Sequence, residues 1–359
     1  MQHRALAEPD LFVEVVKRSP VLEALRDAPT DRETLERRLD VSTATSYRRT
    51  GWLDKRGLIE ERDGGFVPTA LGAAVDEQVR DLRDAVEETR GGPESTPERL
   101  AELLGHGPTL AALREGPLDR PSLQERLGVS RSTCHRHTRA LEAAGLVERP
   151  AVEYGLTPAG EVVADAVAAF ATRVRTALTL GPVLDRIHGA APEFDVGSFA
   201  DATVTTAEPG NSSRPVARAL SLFRETETFR GVHTASIAPM YLEDERVLDG
   251  LTTEVIEPPE VAEEIMDEYP ERCVEVCVSE YFTHWLHDDL PFGLVIYDDR
   301  VGIGVDGEEG VKTFVDTDAP AAREWAEAVF ESLREEAVLL EGYTKQGLRE
   351  TMSSRSADD

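Results

Sequence analysis

The sequence predicts an α+β and α/β multidomain chain, in which two tandem copies of one small domain precede an α/β domain with a mixed sheet. An internal repeat displaced by 88 residues predicts the tandem copies. Strand-like and helix-like runs alternate beyond residue 196, which is typical of α/β structure. The net charge also changes, from -5 over residues 1–175 to -25 over residues 176–359. A chain of 359 residues is long enough for two or three domains.

The repeat is ungapped. Leu22–Gly72 (repeat 1) matches Leu110–Gly160 (repeat 2) with 21 identical residues in 51 positions. Chance does not produce that agreement, so both copies should have one fold.

Each repeat is predicted to form three helices and a β-hairpin. Asp31 and Asp119 are expected to cap the second helix, and Ser42 and Ser130 the third. Gly57 and Gly145 are suited to end the third helix, and Asp63-Gly64-Gly65 is a hairpin turn. Two helices joined by a tight turn and followed by a hairpin form a winged helix-turn-helix.

The third helix of repeat 2 is predicted to have two faces. Cys134, Thr138 and Leu141 recur at i, i+4 and i+7, which is typical of an inward face. No acidic residue occurs in 126–141 or in 41–53. Arginine can pair bidentately with guanine, and serine or histidine can reach phosphates or base edges. In repeat 2 the predicted DNA-binding residues are Ser130, Arg131, Ser132, His135, Arg136 and Arg139.

Repeat 1 offers a weaker set of contacts, namely Ser42, Thr43, Tyr47, Arg48 and Arg49. It has Thr43 in place of Arg131, and Gly51, which disfavours a helix interior, in place of Arg139. Repeat 1 either contacts DNA or serves as a packing or dimerisation module.

The run Leu-Gly-Val-Ser-Arg-Ser-Thr at 127–133 resembles winged-helix transcription regulators of archaea and bacteria. The runs at 199–205, 290–301 and 321–326 resemble the C-terminal domain of archaeal methanogenesis-regulatory-type regulators. That resemblance implies a sensor or assembly domain and an unidentified small-molecule effector. Such proteins usually carry one winged helix, whereas this chain carries a duplicated one.

The predicted organisation follows from these features. It comprises a first winged helix-turn-helix with a trailing helix (1–90), a linker (91–99), a second winged helix-turn-helix (100–160), a long connecting helix (158–190), an α/β sensor or assembly domain (191–345) and a flexible tail (346–359). The connecting helix has an apolar stripe that could pack on the C-terminal domain or on a second subunit. We expect a homodimer.

Strands are predicted in the C-terminal domain at Ala202–Thr206, Gly231–Ile237, Thr253–Ile256, Val274–Val278, Gly293–Tyr297, Val301–Val305 and Lys312–Val315. Helices are predicted at Arg214–Glu225, Pro259–Tyr269 and Ala319–Leu340. Asp298-Asp299 is a hairpin turn, so the sheet should be mixed.

The acidic surface suggests a salt-adapted protein. Only four of the 39 basic residues are lysine. This composition resembles cytosolic proteins of halophilic archaea, and the alternative is a mesophilic protein with a charged binding face.

The sequence contains no sign of an enzyme. It has no Gly-x-x-x-x-Gly-Lys phosphate loop, no Gly-x-Ser-x-Gly elbow and no His-x-Lys pair. His284 and His287 are weak metal candidates that fit better in a polar loop, and Cys273 and Cys277 would share one face of a strand. We expect no catalytic residue and no cofactor.

These observations predict a cytoplasmic, DNA-binding transcription regulator that acts on double-stranded DNA. The three cysteines, the absence of an apolar signal in the first 20 residues and the absence of a long apolar run fit that location. The alternatives are a protein-interaction or architectural chromatin module and, less favoured, an enzyme with a winged-helix appendage.

Overall fold

The computed structural model describes residues 8–90, 95–190, 194–234, 242, 244–277, 279–307 and 310–340. The chain divides into two compact units, residues 1–181 (unit 1) and 182–359 (unit 2). The predicted tail at 346–359 and positions 91–94 of the predicted linker lie outside the described residues.

Unit 1 contains both repeats, and its last helix continues past residue 181 into unit 2. Its elements are α1 (Glu8–Leu25), α2 (Arg32–Leu39), α3 (Thr43–Asp54), β1 (Ile59–Arg62), β2 (Gly65–Pro68), α4 (Ala70–Arg90), α5 (Pro97–Gly105), α6 (Gly107–Arg114), β3 (Leu118–Asp119), α7 (Arg120–Leu127), α8 (Arg131–Ala143), β4 (Val147–Glu148), β5 (Glu153–Leu156) and α9 (Pro158–Ala190). Repeat 1 begins with one helix, α1, whereas the matching stretch of repeat 2 is divided at His106 into α5 and α6.

The predicted helix caps are confirmed. The side chains of Asp31 and Asp119 each accept a backbone N–H bond at 2.9 Å from the residue three positions on. Those of Ser42 and Ser130 do the same at 3.3 and 3.2 Å. The glycines that follow the third helices, Gly57 and Gly145, have φ of +66° and +73°. Local sequence therefore determines where these helices begin and end.

The helix after each hairpin approaches its repeat so closely that only glycine fits. A Cβ atom on Gly72 would lie 1.8 Å from the carbonyl oxygen of Leu58, and a Cβ on Gly160 would lie 1.8 Å from that of Leu146. This contact explains why the repeat retains both glycines.

The apolar stripe of α9 is largely buried inside unit 1. Val163, Val167, Phe170 and Val174 are buried, and the Phe170 ring contacts the Phe12 ring of α1 with centroids 5.9 Å apart. The sequence predicts that this stripe packs on the C-terminal domain or on a second subunit. It does not predict packing on α1, because the repeat begins at Leu22 and does not include Phe12.

Unit 2 is built on one eight-stranded sheet. Its elements are β6 (Thr203–Thr206), α10 (Arg214–Phe223), β7 (Thr228–Val232), β8 (Thr252–Glu257), α11 (Pro259–Glu268), α12 (Pro270–Cys277), β9 (Phe282–Leu286), β10 (Gly293–Ile296), β11 (Val301–Gly307), β12 (Gly310–Thr317), α13 (Pro320–Glu336) and β13 (Val338–Leu339). The strand order is β13-β9-β8-β7-β10-β11-β12-β6. Strands β7, β8 and β9 are parallel and the other pairs antiparallel, so the predicted mixed sheet is confirmed.

The sequence prediction was wrong at two neighbouring places. The strand predicted at Val274–Val278 is helical through Cys277, because Pro270 starts a helix and the apolar residues follow helical spacing. The polar loop predicted around His284 is strand β9, in which His284 is 3% exposed. A polar residue at an inward strand position was mistaken for a loop residue.

Two further element bounds differ from the prediction. Strand β7 covers Thr228–Val232 rather than starting at Gly231, and residues 235–237 of that predicted strand lie outside the described residues. The last helix ends at Glu336, and the chain then forms β13, which pairs with β9.

A buried ionic cluster joins α10 to the sheet. Asp316 of β12 is fully buried and accepts hydrogen bonds from Arg218 at 2.8 and 3.1 Å and from Arg300 at 2.7 Å. The hydrogen bond with Asp316 raises the pKa of the Arg218 guanidinium. A carboxylate held by two guanidinium groups is well compensated for its burial.

Candidate nucleic-acid interface

Helix α8 of repeat 2 has the two faces that the sequence predicts. Cys134, Thr138 and Leu141 are at most 1% exposed and hold the helix on the core. The predicted contact residues all lie on the exposed side: Ser130, Arg131, Ser132, His135, Arg136 and Arg139. The capped N-terminus and the cationic side chains therefore belong to one accessible surface.

The charge on this surface is uncompensated within the described part of the chain. There, Arg131, Arg136 and Arg139 form no ion pair, whereas Arg114, Arg126 and Arg173 of the same unit each pair with a carboxylate. The Ser130 hydroxyl lies 2.9 Å from that of Ser132 and caps the helix, whose first N–H groups favour an anion. The surface can accept phosphates and base edges.

Arg120 anchors this surface from behind. It begins α7 and donates from Nη2 to the Tyr154 hydroxyl of β5 at 2.5 Å. The bond fixes α7, the helix before α8, to the hairpin. Its counterpart in repeat 1, Arg32, instead donates to Thr50 at 2.8 Å and stacks on Tyr47 at 3.8 Å.

Repeat 1 presents fewer cations. Ser42, Thr43 and Arg48 are exposed, Tyr47 is 60% exposed under Arg32, and Arg49 is half-buried. The Thr43 hydroxyl donates to a Glu36 carboxylate oxygen at 2.8 Å, so an acid lies beside the start of α3. The predicted repeat 1 residues share one side, but only Arg48 is an exposed cation.

Both hairpins are acidic. The β1–β2 hairpin carries Glu60, Glu61 and Asp63 against Arg62, which pairs with Glu60 at 2.5 Å. The β4–β5 hairpin carries Glu148 and Glu153 against Arg149. Helix α8 therefore supplies the cationic surface and the hairpins do not.

Sequence reasoning missed a histidine pair behind α8. His137 of α8 has Nδ1 3.2 Å from the Thr109 hydroxyl, and its ring meets the His106 ring edge to face at 4.7 Å. Burial lowers the pKa of both imidazoles, and the neighbouring His137 lowers that of His106 further. The internal repeat gave no signal here, because the matching residues in repeat 1 are arginines.

The two weak metal candidates do not form one site. In unit 2, His284 has Nε2 3.1 Å from a Glu257 oxygen, whereas His287 has Nε2 3.8 Å from Glu336. His233 Nδ1 lies 3.0 Å from the other Glu257 oxygen. Burial would raise the pKa of the Glu257 carboxyl, but hydrogen bonds from both imidazoles outweigh it and hold that pKa well below its usual range. Among the described residues no His, Cys, Asp and Glu cluster could hold a metal ion.

Two family models match the chain. One is described as the middle domain of the methanogenesis regulatory protein FilR1 and matches residues 212–336. The other is the HVO_A0261 N-terminal domain, which matches residues 6–91 and again residues 95–179. The resemblance of the C-terminal half to methanogenesis-regulatory-type proteins is thus confirmed. The second match places one family domain over each repeat.

The solved structures that resemble this chain share little sequence with it. One reports TrmBL2, an archaeal chromatin protein with a novel mode of DNA binding, at 14% identity and a TM-score of 0.32, covering 65% of this chain and 92% of that one. The methyltransferase SibL matches at 15% identity and a TM-score of 0.19, covering 52% and 62%. An O-methyltransferase family protein from Burkholderia thailandensis matches at 12% identity and a TM-score of 0.20, covering 57% and 64%. No curated protein matches.

None of the helices in the described ranges is both long and apolar enough to cross a membrane.

Proposed function

We propose that this chain is a transcription regulator whose repeats are tandem winged helix-turn-helix domains, with α8 of repeat 2 reading the major groove of double-stranded DNA. The observation that carries the proposal is the exposed side of α8 from Arg131 to Arg139, which has no acidic residue and three arginines that form no ion pair within the described part of the chain. Winged-helix proteins contact base edges with this helix. The match to a regulatory protein's domain in unit 2 supports the same function.

Unit 2 either senses a small-molecule effector or holds the subunits of the assembly together. The chain forms a homodimer, since paired recognition helices read two half-sites of an operator. Such a regulator works in the cytoplasm, and the acidic, lysine-poor surface fits a haloarchaeal source. Light scattering at high salt tests the dimer.

The test of sequence specificity is selection from random duplexes. The full chain, incubated in molar KCl, should enrich one motif. A variant with Arg131→Gln, Arg136→Gln and Arg139→Gln should enrich none. A control with Arg214→Gln, Arg224→Gln and Arg334→Gln removes equal charge from unit 2 and should retain the motif. If the full chain instead bound all duplexes equally well, the protein would be an architectural one.

A further inference from the structure

The two repeats differ at one place beside the third helix. In repeat 1, the half-buried Trp52 ring of α3 contacts two guanidinium groups, that of Arg18 at 4.5 Å and that of Arg56 at 3.8 Å from the ring centroid. The Arg18 side chain is only 12% exposed and pairs with Glu14 at 2.5 Å. A flat bicyclic ring is therefore part of the repeat 1 packing.

Repeat 2 has lost all three of these side chains. At the 88-residue displacement, Arg18 corresponds to His106, Trp52 to Ala140 and Arg56 to Ala144. The two alanines have nothing that could occupy the volume of an indole ring. His106 has turned to the His137 ring instead, at 4.7 Å.

Repeat 2 has a cavity of about 330 Å³ beside Ala140, Ala144 and His106. It is smaller than most ligand pockets but large enough for a small aromatic molecule. Its walls come from α4, α5, α8 and the residue before β4. Most of the lining is apolar: Val86, Leu100, Leu103, Ala140, Leu141, Ala143, Ala144 and Leu146. The other four lining residues are polar or charged: Ser95, Arg99, Glu102 and His106.

We propose that this cavity binds a flat aromatic molecule of bicyclic size, in the place where repeat 1 holds Trp52. The same fold accepts an indole ring at the matching position, so the shape and the apolar walls suit such a ligand. The His106 ring and the aliphatic side chains offer it edge and face contacts.

The cavity also has a link to regulation, which rests on the proposed function. Ala140, Leu141 and Ala143 lie in the C-terminal half of α8 and Ala144 is its C-cap, whereas Arg131 and Arg136 lie in its N-terminal half. A ligand in the cavity would contact the recognition helix from behind. Ligand binding itself does not depend on any DNA-binding activity.

The test is a titration of 5-fluoroindole with the full chain, followed by fluorine NMR. It is done at a salt concentration where circular dichroism shows that the protein is folded. Wild type should bind one equivalent saturably, with unlabelled indole competing. Ala140→Trp, which restores the repeat 1 residue, should weaken binding at least tenfold and should not lower the melting temperature. Trp52→Ala, which opens the matching space in repeat 1, should add a second equivalent.

If Ala140→Trp does not fold, Ala140→Phe fills part of the same space and should weaken binding in the same direction. No saturable binding to wild type, or binding unchanged by either filling variant, overturns the proposal. Operator affinity with and without indole is a separate arm. A chain that binds no DNA but binds 5-fluoroindole contradicts the proposed function and leaves the cavity ligand standing.

Discussion

His106 and His137 meet edge to face with ring centroids 4.7 Å apart, and so join the junction of α5 and α6 to helix α8. Neither imidazole is well placed to carry a proton, because burial lowers the pKa of each. Protonating the pair would place two like charges in contact behind α8. The packing of repeat 2 is therefore linked to pH.

We expect the free energy of unfolding to fall as pH drops below about 6.5, the ordinary histidine pKa. There the unfolded chain binds protons that the folded pair resists, so protonation favours unfolding; above that pH the stability is fully present. Urea titrations between pH 8 and 5 at fixed salt measure the slope. His106→Phe should flatten it, whereas His135→Gln, which removes an exposed neighbour, should not. Equal slopes in wild type and His106→Phe would rule this pair out as the source of the pH-dependent stability.

Arg136→Ala should weaken operator binding more than Arg48→Ala does. A bidentate guanine contact is worth about 1–3 kcal/mol, and its loss should also relax preference at one base pair. Arg48 lies on α3, which lacks a counterpart of Arg131 and has an acid beside its start. Both variants lose one charge, so an effect of charge alone would be equal. Affinities for operator and scrambled duplex at one high salt concentration decide the order, and a larger loss for Arg48→Ala would reverse the ranking of the repeats.

Asp316→Asn should destabilise unit 2 by about 3–5 kcal/mol, the usual effect of breaking a buried ion pair. The change leaves Arg218 and Arg300 without the carboxylate that both contact. Asp318→Asn is the matched control, since Asp318 is 74% exposed and pairs with Arg300 only at 3.5 Å. Urea denaturation monitored by circular dichroism measures both variants. Similar stabilities for the two would mean that the cluster contributes little.

Gly160→Ala should destabilise unit 1 by at least about 2 kcal/mol, because the added Cβ would overlap the Leu146 carbonyl oxygen and move α9 or the hairpin. Gly105→Ala places the same methyl group on a helix where nothing lies within 4 Å, and should change stability by no more than about 1 kcal/mol. Thermal unfolding of the two variants tests the difference. A tolerant Gly160→Ala would contradict the close approach.

The whole chain should lose structure as salt is removed. With a net charge of -30, self-repulsion grows when the Debye length rises from about 3 Å at 1 M to about 10 Å at 0.1 M salt. Circular dichroism from 3 M to 0.1 M KCl gives the transition. Full cooperative stability at 0.1 M KCl would remove the case for salt adaptation.

The sequence predicts best where the interactions are local. Capping by Asp31 and Ser130, and the buried spacing of Cys134 and Thr138, depend on neighbours within one helix, and both predictions are confirmed. The strand containing His284 was missed because its burial depends on Glu257, a residue distant in the chain. The His106–His137 contact and the cavity beside Ala140 likewise depend on packing between helices, which composition and periodicity do not encode.

The acidic hairpins have a consequence for how a duplex would be held. If α8 reads the major groove as proposed and the β4–β5 hairpin lies against the duplex, Glu148 and Glu153 would face DNA phosphates, and Arg149 is the only cation on that hairpin, whose residues are all described. Ordinary DNA-binding proteins release condensed cations when they bind, so added salt weakens them. Here potassium ions would have to enter between carboxylate and phosphate, and complex formation would take up cations at the hairpin while releasing them at α8. The plot of affinity against salt should then flatten, or even rise, where that of a basic winged protein falls.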